Sequence, residues 1–394
     1  MNKFEDFRMH VPAARRQTYL STASTGLIPD FVYEAVNRYQ ENRYQKGGNS
    51  NWLCSGQVVE SWEMMEWSKA ALARMIGTEK ENIVFGQNST HVYTLFTGGL
   101  EFAPGDNIIL PEGGWMGIRY ASQIRQSDGL KIRYAKPHDG KIEPEDIFAL
   151  CDERTKAVCV PLVEPETGFL MDVTAIGNYC QARGIWLAVD GVQGLGILPV
   201  NVEKMNIDFL TGNDYKWLMN YGGTGYGYIS PALQEALKQR TAGWMGNDFS
   251  KGSESLNLKK TAGRFEMGFP AVSSIYGVGL VAEKYCELGG SDIQAHVFGL
   301  IKRLKEGLSE IDGVRMLYEF PEKNQSAITV LLFEANTGIT NEMLERENII
   351  ATLKPYGNEG RLTMRISLHY YNNQDDVERL LEVIGSKGSS SRAG

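Results

Sequence analysis

The 394-residue sequence has little of the features that would place it in several large classes of protein. Its five cysteines, at positions 54, 151, 159, 180 and 286, are an odd number without C-x-x-C spacing, which argues against a disulfide framework or a zinc site. No run approaches the roughly 18 apolar residues of a membrane-spanning helix, and the N-terminus has no long apolar core. We therefore expect a soluble, cytoplasmic protein with reduced thiols and no membrane partner.

An excess of positive charge is also missing. The chain has 40 basic and 48 acidic residues, a formal net charge of −8 and no dense run of lysine and arginine, so nucleic acid is not expected as a partner. Hydrophobic residues make up 42% of the chain, which is enough for sizeable cores in two or three domains. No internal repeat is present. The polar segment 387–394 is expected to be a disordered tail or an expression remnant.

Short β-rich runs alternate with helix-length amphipathic stretches over the first two thirds of the chain. This alternation predicts an α/β domain with a parallel sheet wrapped by helices. The six predicted strands are residues 82–85, 106–111, 157–163, 185–190, 207–212 and 225–230.

The pattern changes after Gly268, where long helical stretches precede and follow two strand-like runs. The predicted elements there are helices at 273–288, 292–311 and 374–384 and strands at 326–334 and 361–370. We therefore predict three parts: an N-terminal arm (1–18), a large domain (19–268) and a smaller C-terminal α+β domain (269–386).

Polar groups follow several predicted strands, and ligands of open parallel sheets bind at these carboxyl ends. Asn88, Ser89 and Thr90 open a helix after the first strand, where free N–H groups could hold a phosphate, although simple N-capping is the favoured explanation when these residues are taken alone. Trp115 follows two glycines after the second strand and could lie over a ligand, although a place in the core is favoured when it is taken alone.

A buried acid and a lysine end two further strands. Asp190 closes an apolar strand, where a carboxylate is costly to desolvate without a cationic or strongly donating partner. Lys216 follows the next strand. Together with the phosphate cradle and the flat Trp115 side chain, this lysine and this carboxylate supply what pyridoxal 5′-phosphate requires of a protein.

As a set, the segments LAVDGVQG, DFLTGNDYKW, GGTGYGYIS, RFEMGFP and MRISLHYYN resemble the class V aminotransferase family of pyridoxal-phosphate enzymes. This family includes cysteine desulfurases, alanine–glyoxylate aminotransferases and isopenicillin N epimerase-like proteins. The resemblance runs from YLSTASTG (19–26) to RISLHYYNNQDDVERLLEVI (365–384), nearly the whole chain. It implies fold type I, with a mostly parallel seven-stranded sheet in the large domain and a smaller C-terminal domain.

The resemblance also assigns roles to individual residues. It makes Lys216 the lysine that forms the Schiff base with the cofactor and later removes the substrate α-proton, and Asp190 the partner of the pyridinium nitrogen. Gln193 matches the residue that contacts the ring 3′-oxygen, and Trp115 the ring-stacking residue. Arg365 matches the arginine that holds the substrate α-carboxylate.

The remaining assigned residues belong to the cofactor site. The resemblance gives contact with the cofactor phosphate to Ser89, Thr90, Asn213 and Thr224. Asn88, at the same helix start, and Tyr215, beside the lysine, are the other expected cofactor-binding residues. Thr224 and the segment 264–270 also resemble a stretch that reaches the phosphate of a neighbouring subunit, which implies a homodimer with shared active sites.

Several departures from the family pattern bear on the reaction. Residues 335–364 contain no cysteine, so the acceptor of a persulfide-forming desulfurase is missing there. Asp214 and Tyr215 stand where desulfurases have a histidine beside the lysine, and Phe269 replaces a threonine. Pro165 replaces an asparagine, which leaves Glu164 or Glu166 either lining the site or in a surface turn.

We expect an aminotransferase acting on an amino acid, with a β-eliminating C–S lyase or an amino-acid epimerase as alternatives. The same residues serve all three reactions, and a non-catalytic relative is disfavoured because a scaffold has no reason to keep a buried Asp and Lys. Residues 19–26, the loop 43–56, Tyr370 and Tyr371 are expected to line the substrate pocket. The loop 43–56 either closes over a substrate or is an ordinary surface loop.

Overall fold

The computed structural model describes residues 2–47, 60–335 and 337–388. Most of the predicted loop 43–56, including Cys54, lies outside these described residues, and so does most of the predicted tail 387–394. Within the described residues, no helix is long and apolar enough to cross a membrane.

The described helices are α1 Lys3–Met9, α2 Asp30–Lys46, α3 Glu60–Ile76, α4 Ser89–Gly99, α5 Met116–Gln123, α6 Pro144–Phe148, α7 Val173–Gln181, α8 Pro231–Ala236, α9 Val272–Leu288, α10 Gly290–Leu308, α11 Asn341–Arg346 and α12 Gln374–Gly388. The described strands are β1 Thr18–Tyr19, β2 Ile83–Gly86, β3 Asn107–Pro111, β4 Lys131–Ala135, β5 Thr155–Pro161, β6 Trp186–Asp190, β7 Phe209–Asn213, β8 Gly225–Ile229, β9 Val314–Met316, β10 Ile328–Phe333, β11 Ile349–Ile350, β12 Thr352–Tyr356 and β13 Arg361–Ser367.

Seven strands form one mixed sheet in the order β2-β8-β7-β6-β5-β3-β4. Strand β8 runs antiparallel to both of its neighbours, and the other pairs are parallel. Strands β3, β7 and β8 are buried along their whole length, as expected for central strands covered on both faces. The α/β prediction and the seven-stranded sheet that the resemblance implied are confirmed.

Aromatic packing fixes α4 against one face of this sheet. The ring of Phe96 lies 5.2 Å from that of Phe209 on β7, and Tyr93 meets the same ring edge-on at 6.3 Å. Full burial of a side chain of this size contributes roughly 1.5–3 kcal/mol. The packing therefore holds the first turn of α4 at the carboxyl ends of the neighbouring strands.

A second sheet of four antiparallel strands has the order β12-β13-β10-β9. Arg365 on β13 lies opposite Val330 of β10 and Thr352 of β12. The N-terminal strand β1 pairs in parallel with β11, and the Ser367 N–H donates to Leu20 O at 2.8 Å. These contacts carry the residues after β1 to the end of β13, close to Arg365.

Candidate active site

Strands β6 and β7 end side by side, with Asp190 paired to Thr211 in the parallel register. The chain leaves β7 at Asn213 and turns at Lys216, whose carbonyl accepts from the Met219 N–H at 3.2 Å. Gly26 packs directly on this turn, since a β-carbon at Gly26 would lie 1.9 Å from Lys216 O. The fold thus brings Asp190, Lys216 and the predicted substrate loop to one edge of the sheet.

The Lys216 amine is enclosed and electrostatically perturbed. Only 8% of the residue is exposed, and this burial lowers the pKa of Lys216 to about 8, with the charge of Asp190 partly opposing the effect and that of Arg365 adding to it. Its Nζ lies 5.7 Å from the ring centre of Trp115 and 5.9 Å from that of Tyr215. Near neutral pH this amine therefore has a larger neutral fraction than an ordinary lysine, and the neutral form is the one that can act as a nucleophile or a base.

Asp190 is a half-buried carboxylate at the carboxyl end of β6. Burial raises its pKa, while the Val192 N–H, which donates to Asp190 Oδ1 at 3.0 Å, and the Lys216 charge lower it. A carboxylate in this position is stabilised by a cationic partner brought within reach.

The start of α4 forms an anion-binding geometry. Asn88 caps the helix, with its Oδ1 accepting from the His91 N–H at 2.8 Å. First-turn N–H groups, here those of Ser89 and Thr90, have no acceptor within their own helix, and the helix dipole favours negative charge beside them. Thr211 Oγ1 donates to Ser89 O at 3.0 Å and ties this turn to β7. The residues that cap α4 are thus the same ones proposed to hold the phosphate, and the two roles are compatible.

Asn213 and Tyr215 lie beside Lys216 with one group unpartnered. Burial raises the pKa of Tyr215, and the neighbouring Asn213 side chain opposes this rise. Asn213 Oδ1 is buried without a partner among the described residues. An orphaned polar atom in a buried site is the mark of a group that a ligand or water completes.

Trp115 stands at the mouth of the site as the residue before α5. It is 47% exposed, and its indole approaches Gly117, where a β-carbon would lie 2.2 Å from Thr90 Oγ1 and 2.8 Å from the indole nitrogen. The exposed ring 5.7 Å from the Lys216 amine leaves its face available to a flat ligand.

The sequence model of the aminotransferase class-V family matches residues 18–380. The chain belongs to the aminotransferase class-V family. The resemblance stated from the sequence is confirmed, and the cofactor of this family is pyridoxal 5′-phosphate.

Known members of the class-V family align along nearly the whole chain. A probable cysteine desulfurase of Methanothermobacter thermautotrophicus is 25% identical over 400 residues, covering 96% of this chain and 97% of the relative. A solved apo structure of the cysteine desulfurase of Thermococcus onnurineus has a TM-score of 0.83 at 24% identity and covers 98% of both chains. The cystine C–S lyase C-DES has a TM-score of 0.83 at 18% identity, covering 95% of this chain and 99% of the lyase. The two structures show the shared fold.

The described residues of this class-V chain fit the cofactor. Lys216 offers an amine of lowered pKa, Asp190 a half-buried carboxylate, and the first turn of α4 an end suited to an anion. The orphaned Asn213 Oδ1 is the buried polar atom that a bound group would complete. Each of these residues is a proposed cofactor ligand of the chain.

Gln193 lies buried in the loop after β6, with both ends of its amide engaged. Its Nε2 donates to Ala23 O at 3.1 Å, and its Oε1 accepts from the indole Nε1 of Trp217 at 2.9 Å. The predicted contact of Gln193 with the cofactor ring rests on the second hydrogen of Nε2.

Arg365 reaches the predicted substrate loop from β13. It donates through Nη1 to Pro165 O at 2.9 Å and through Nη2 to Ser24 Oγ at 2.8 Å. Only 13% of its side chain is exposed, and Glu166 Oε1 lies 4.0 Å from Nη1. Arg365 is therefore oriented by two close neutral acceptors, and its ion pair with the exposed Glu166 is a longer contact.

The two glutamates beside Pro165 differ in their contacts and exposure. Glu164 is part of the turn itself, because its Oε2 accepts from the N–H groups of Glu166 and Thr167 at 2.7 Å each. Glu166 is exposed and pairs with Lys354 at 3.0 Å. Of the two, Glu166 is the one that borders Arg365.

Thr224 and Phe269 line one cavity of about 190 Å³, together with Gln87 and His91 at the start of α4. Thr224 is buried, and Phe269 is half exposed. The contact of this segment with the phosphate of a second subunit stays a prediction.

The expectation that Tyr370 and Tyr371 line the substrate pocket is wrong. Both residues are fully buried. The Tyr370 ring packs 4.7 Å from Phe7, and the Tyr371 hydroxyl lies 2.6 Å from Thr22 Oγ1. Tyr371 thus acts from within the core, holding the loop 19–26 from behind.

Proposed function

We propose that the chain is a pyridoxal-phosphate-dependent lyase that removes sulfur from the β-carbon of a cysteine-like amino acid. The proposal rests on the contrast between the lysine amine of the site, which is reactive, and the thiols of the described cysteines, which are not. The pKa of Lys216 is lowered to about 8, whereas burial raises the pKa of the thiol in each described cysteine: Cys151, Cys159, Cys180 and Cys286. Such a site supports proton removal, and among the described residues it offers no ready thiolate to receive the sulfur.

Cys159 illustrates the point most directly. It lines the same cavity wall as Trp115 and Asp190, close enough to be considered as a sulfur acceptor. Burial raises its pKa to about 12, although a hydrogen bond with Tyr93 opposes the effect. This thiol therefore stays protonated, and the sulfur leaves as sulfide or passes to a small acceptor.

The relatives support cleavage of a C–S bond over plain amino transfer. One is named a probable cysteine desulfurase, and a solved structure of the same fold is a cystine C–S lyase. An amino-acid substrate is consistent with the class-V family as a whole.

The protein's own residues divide the work around the cofactor. Pyridoxal phosphate, when bound, supplies an electron sink for negative charge at the substrate α-carbon. Asp190 stabilises positive charge on the ring, Lys216 removes the α-proton as base, and Arg365 holds the α-carboxylate. The C–S bond then breaks with its electron pair on sulfur, and hydrolysis yields a keto acid and ammonia.

An aminotransferase is the second candidate. In that reaction Lys216 would deliver the α-proton to the cofactor carbon. The half-exposed Trp115 ring, 5.7 Å from the Lys216 amine, could stack on the cofactor in either reaction. The two candidates differ in where the proton goes and in whether the β-substituent leaves.

Incubation of the cofactor-loaded protein with cysteine, cystine and a panel of other amino acids, without a keto acid, separates these functions. A lyase turns over many times and accumulates keto acid, ammonia and sulfide in step. An aminotransferase converts one equivalent of cofactor to the pyridoxamine form and stops, which would overturn the lyase proposal. Lys216→Ala is the inactive control.

Cys54 lies outside the described residues, so the variant Cys54→Ala tests whether this cysteine accepts the sulfur. If the chain is a lyase that needs no protein thiol, this variant keeps sulfide production with cysteine as the substrate. Loss of turnover together with a missing persulfide adduct would instead identify Cys54 as an acceptor.

A further inference from the structure

Trp217 follows the proposed cofactor lysine directly, and its indole is fully buried against Gln193. The indole Nε1 lies 2.9 Å from Gln193 Oε1. An indole N–H can only donate, so the amide oxygen of Gln193, and not its nitrogen, must face Trp217. The chemistry of the partner decides an amide orientation that is otherwise ambiguous.

A second contact agrees with this assignment of the amide oxygen and nitrogen. Gln193 Nε2 lies 3.1 Å from Ala23 O, and a backbone carbonyl can only accept. One of the two Nε2 hydrogens is used there. No acceptor for the other is seen among residues 2–47, 60–335 and 337–388, so this hydrogen is available to a ligand.

The acceptor Ala23 is itself held in place. Its N–H donates to Ser367 Oγ at 2.9 Å, and that hydroxyl lies 3.1 Å from Leu20 O. Ser367 is two residues from Arg365 on β13. The orientation of the Gln193 amide is thus tied to the strand that carries the proposed carboxylate-binding arginine.

Trp217 is itself held by contacts with His369. His369 Nε2 donates to Trp217 O at 3.1 Å, and the two rings lie 5.8 Å apart at 13°. Burial lowers the pKa of His369 to about 3, so the imidazole is neutral and keeps this donor role at all ordinary pH values. The indole has little freedom to release its hydrogen bond.

We propose that Trp217 is a positioning residue that makes Gln193 present a donor, and no acceptor, to the oxygen of the cofactor ring. This inference rests on the proposed cofactor chemistry of the site. A donor stabilises negative charge on that oxygen, whereas a reversed amide would set a lone pair against it and favour its protonated form.

The test compares Trp217→Phe with Trp67→Phe in the cofactor-loaded protein. Trp67 on α3 lies 5.5 Å from the Tyr276 ring on α9, with the two rings tilted at 55°, and undergoes the same chemical change. In Trp217→Phe we expect the ratio of the visible to the near-ultraviolet absorbance band to fall roughly tenfold, the order expected for loss of a charge-assisted hydrogen bond. Trp67→Phe is expected to leave the ratio and its pH profile unchanged.

Two Gln193 variants keep the proposal testable if Trp217→Phe does not fold. Gln193→Glu preserves an acceptor for the indole but has no donor for the ring, so it should reproduce the spectral loss, as should Gln193→Leu. Combining Gln193→Leu with Trp217→Phe should lower the absorbance ratio no further than either substitution alone. Identical spectra and pH profiles in the parent, Trp217→Phe and Gln193→Glu would overturn the proposal.

A second readout does not depend on the cofactor chemistry. In NMR spectra of protein labelled selectively at tryptophan, the indole N–H resonance that disappears in Trp217→Phe belongs to Trp217. We expect this resonance to shift in Gln193→Leu. If the parent protein takes up no cofactor while this shift is seen, the proposed function fails but the Trp217–Gln193 contact stands. If the signal does not move, the positioning role is refuted whatever the cofactor does.

Discussion

The buried carboxylate of Asp214, two residues before Lys216, accepts a hydrogen bond of 2.7 Å from the hydroxyl of Ser274 on α9. Asn220, at the far side of the same turn, donates to Ser274 O at 2.7 Å. The turn that carries Lys216 is therefore hydrogen-bonded to Ser274 of α9 at both of its ends. Asp214 Oδ1 has no partner among the described residues, so the carboxylate is only half satisfied.

Replacing Asp214 by asparagine should change the pH dependence of stability. Burial raises the pKa of Asp214 from 3.8 to about 6, against the opposing hydrogen bond from Ser274. Because the folded state holds this proton more tightly, the contribution of Asp214 to the free energy of unfolding is greatest below pH 4 and is lost as the pH rises through 6. At about 1.4 kcal/mol per pH unit, the difference corresponds to roughly 3 kcal/mol.

Urea unfolding of the parent and of Asp214→Asn between pH 4 and pH 7 measures this effect. We expect the parent to lose stability relative to the variant across the interval, because asparagine keeps an acceptor for Ser274 without a charge. Ser274→Ala should destabilise by about 1–3 kcal/mol, since it leaves the carboxylate without its donor. A constant difference between parent and Asp214→Asn would contradict the assignment.

The reactivity of Lys216 should depend on two charges of opposite sign. Asp190 raises the pKa of Lys216 from its burial-lowered level, and Arg365 lowers it. Uptake of pyridoxal phosphate by the cofactor-free protein, followed by visible absorbance, should accelerate with pH and level off above about 8. Asp190→Asn should move the midpoint to lower pH and Arg365→Gln to higher pH. Shifts in the same direction would show that other groups control this amine.

The strand ends of the site were predictable because each consists of an apolar run followed by polar residues. That pattern located Asp190 and Lys216, and the parallel register then places their strands side by side. Strand β4 was missed. Its sequence, KIRYA, is half exposed along most of its length as an edge strand, so it lacks the continuous apolar signal of the central strands.

Contacts between distant segments lie beyond sequence reasoning. Nothing in the sequence around Asp214 indicates Ser274 as its partner, and Trp217 gives no sign that its indole meets Gln193. The error on Tyr370 and Tyr371 has a similar cause. Polar aromatic residues after a strand can face a pocket or the core, and only the packing around Phe7 and Thr22 decides between them.

Gly26→Ala should disturb the site through a direct backbone clash. Because the added β-carbon would lie 1.9 Å from Lys216 O, either the loop 19–26 or the lysine turn must move, at a cost of about 1–3 kcal/mol. The matched control is Gly299→Ala on α10, where a β-carbon meets no atom within 4 Å. That exposed helical site should gain about 0.5–1 kcal/mol. Thermal unfolding and cofactor affinity check both, and equal effects of the two substitutions would contradict the close approach.

Arg365→Lys should separate geometry from charge at the proposed carboxylate site. Lysine keeps the positive charge but cannot reproduce the planar fork that donates to Pro165 O and Ser24 Oγ. We expect kcat/KM to fall about 10- to 100-fold, mainly through KM, because the carboxylate contact is made before and during proton removal.

Ser24→Ala, which removes one orienting contact and leaves the guanidinium intact, should cost less than Arg365→Lys. Steady-state kinetics with cysteine and with a decarboxylated analogue, cysteamine, measure the difference. The analogue lacks the group that Arg365 binds, so its kcat/KM should be low in the parent and nearly unchanged by Arg365→Lys. An equal loss for cysteine and cysteamine would mean that Arg365 supports the fold of the site and does not hold the carboxylate.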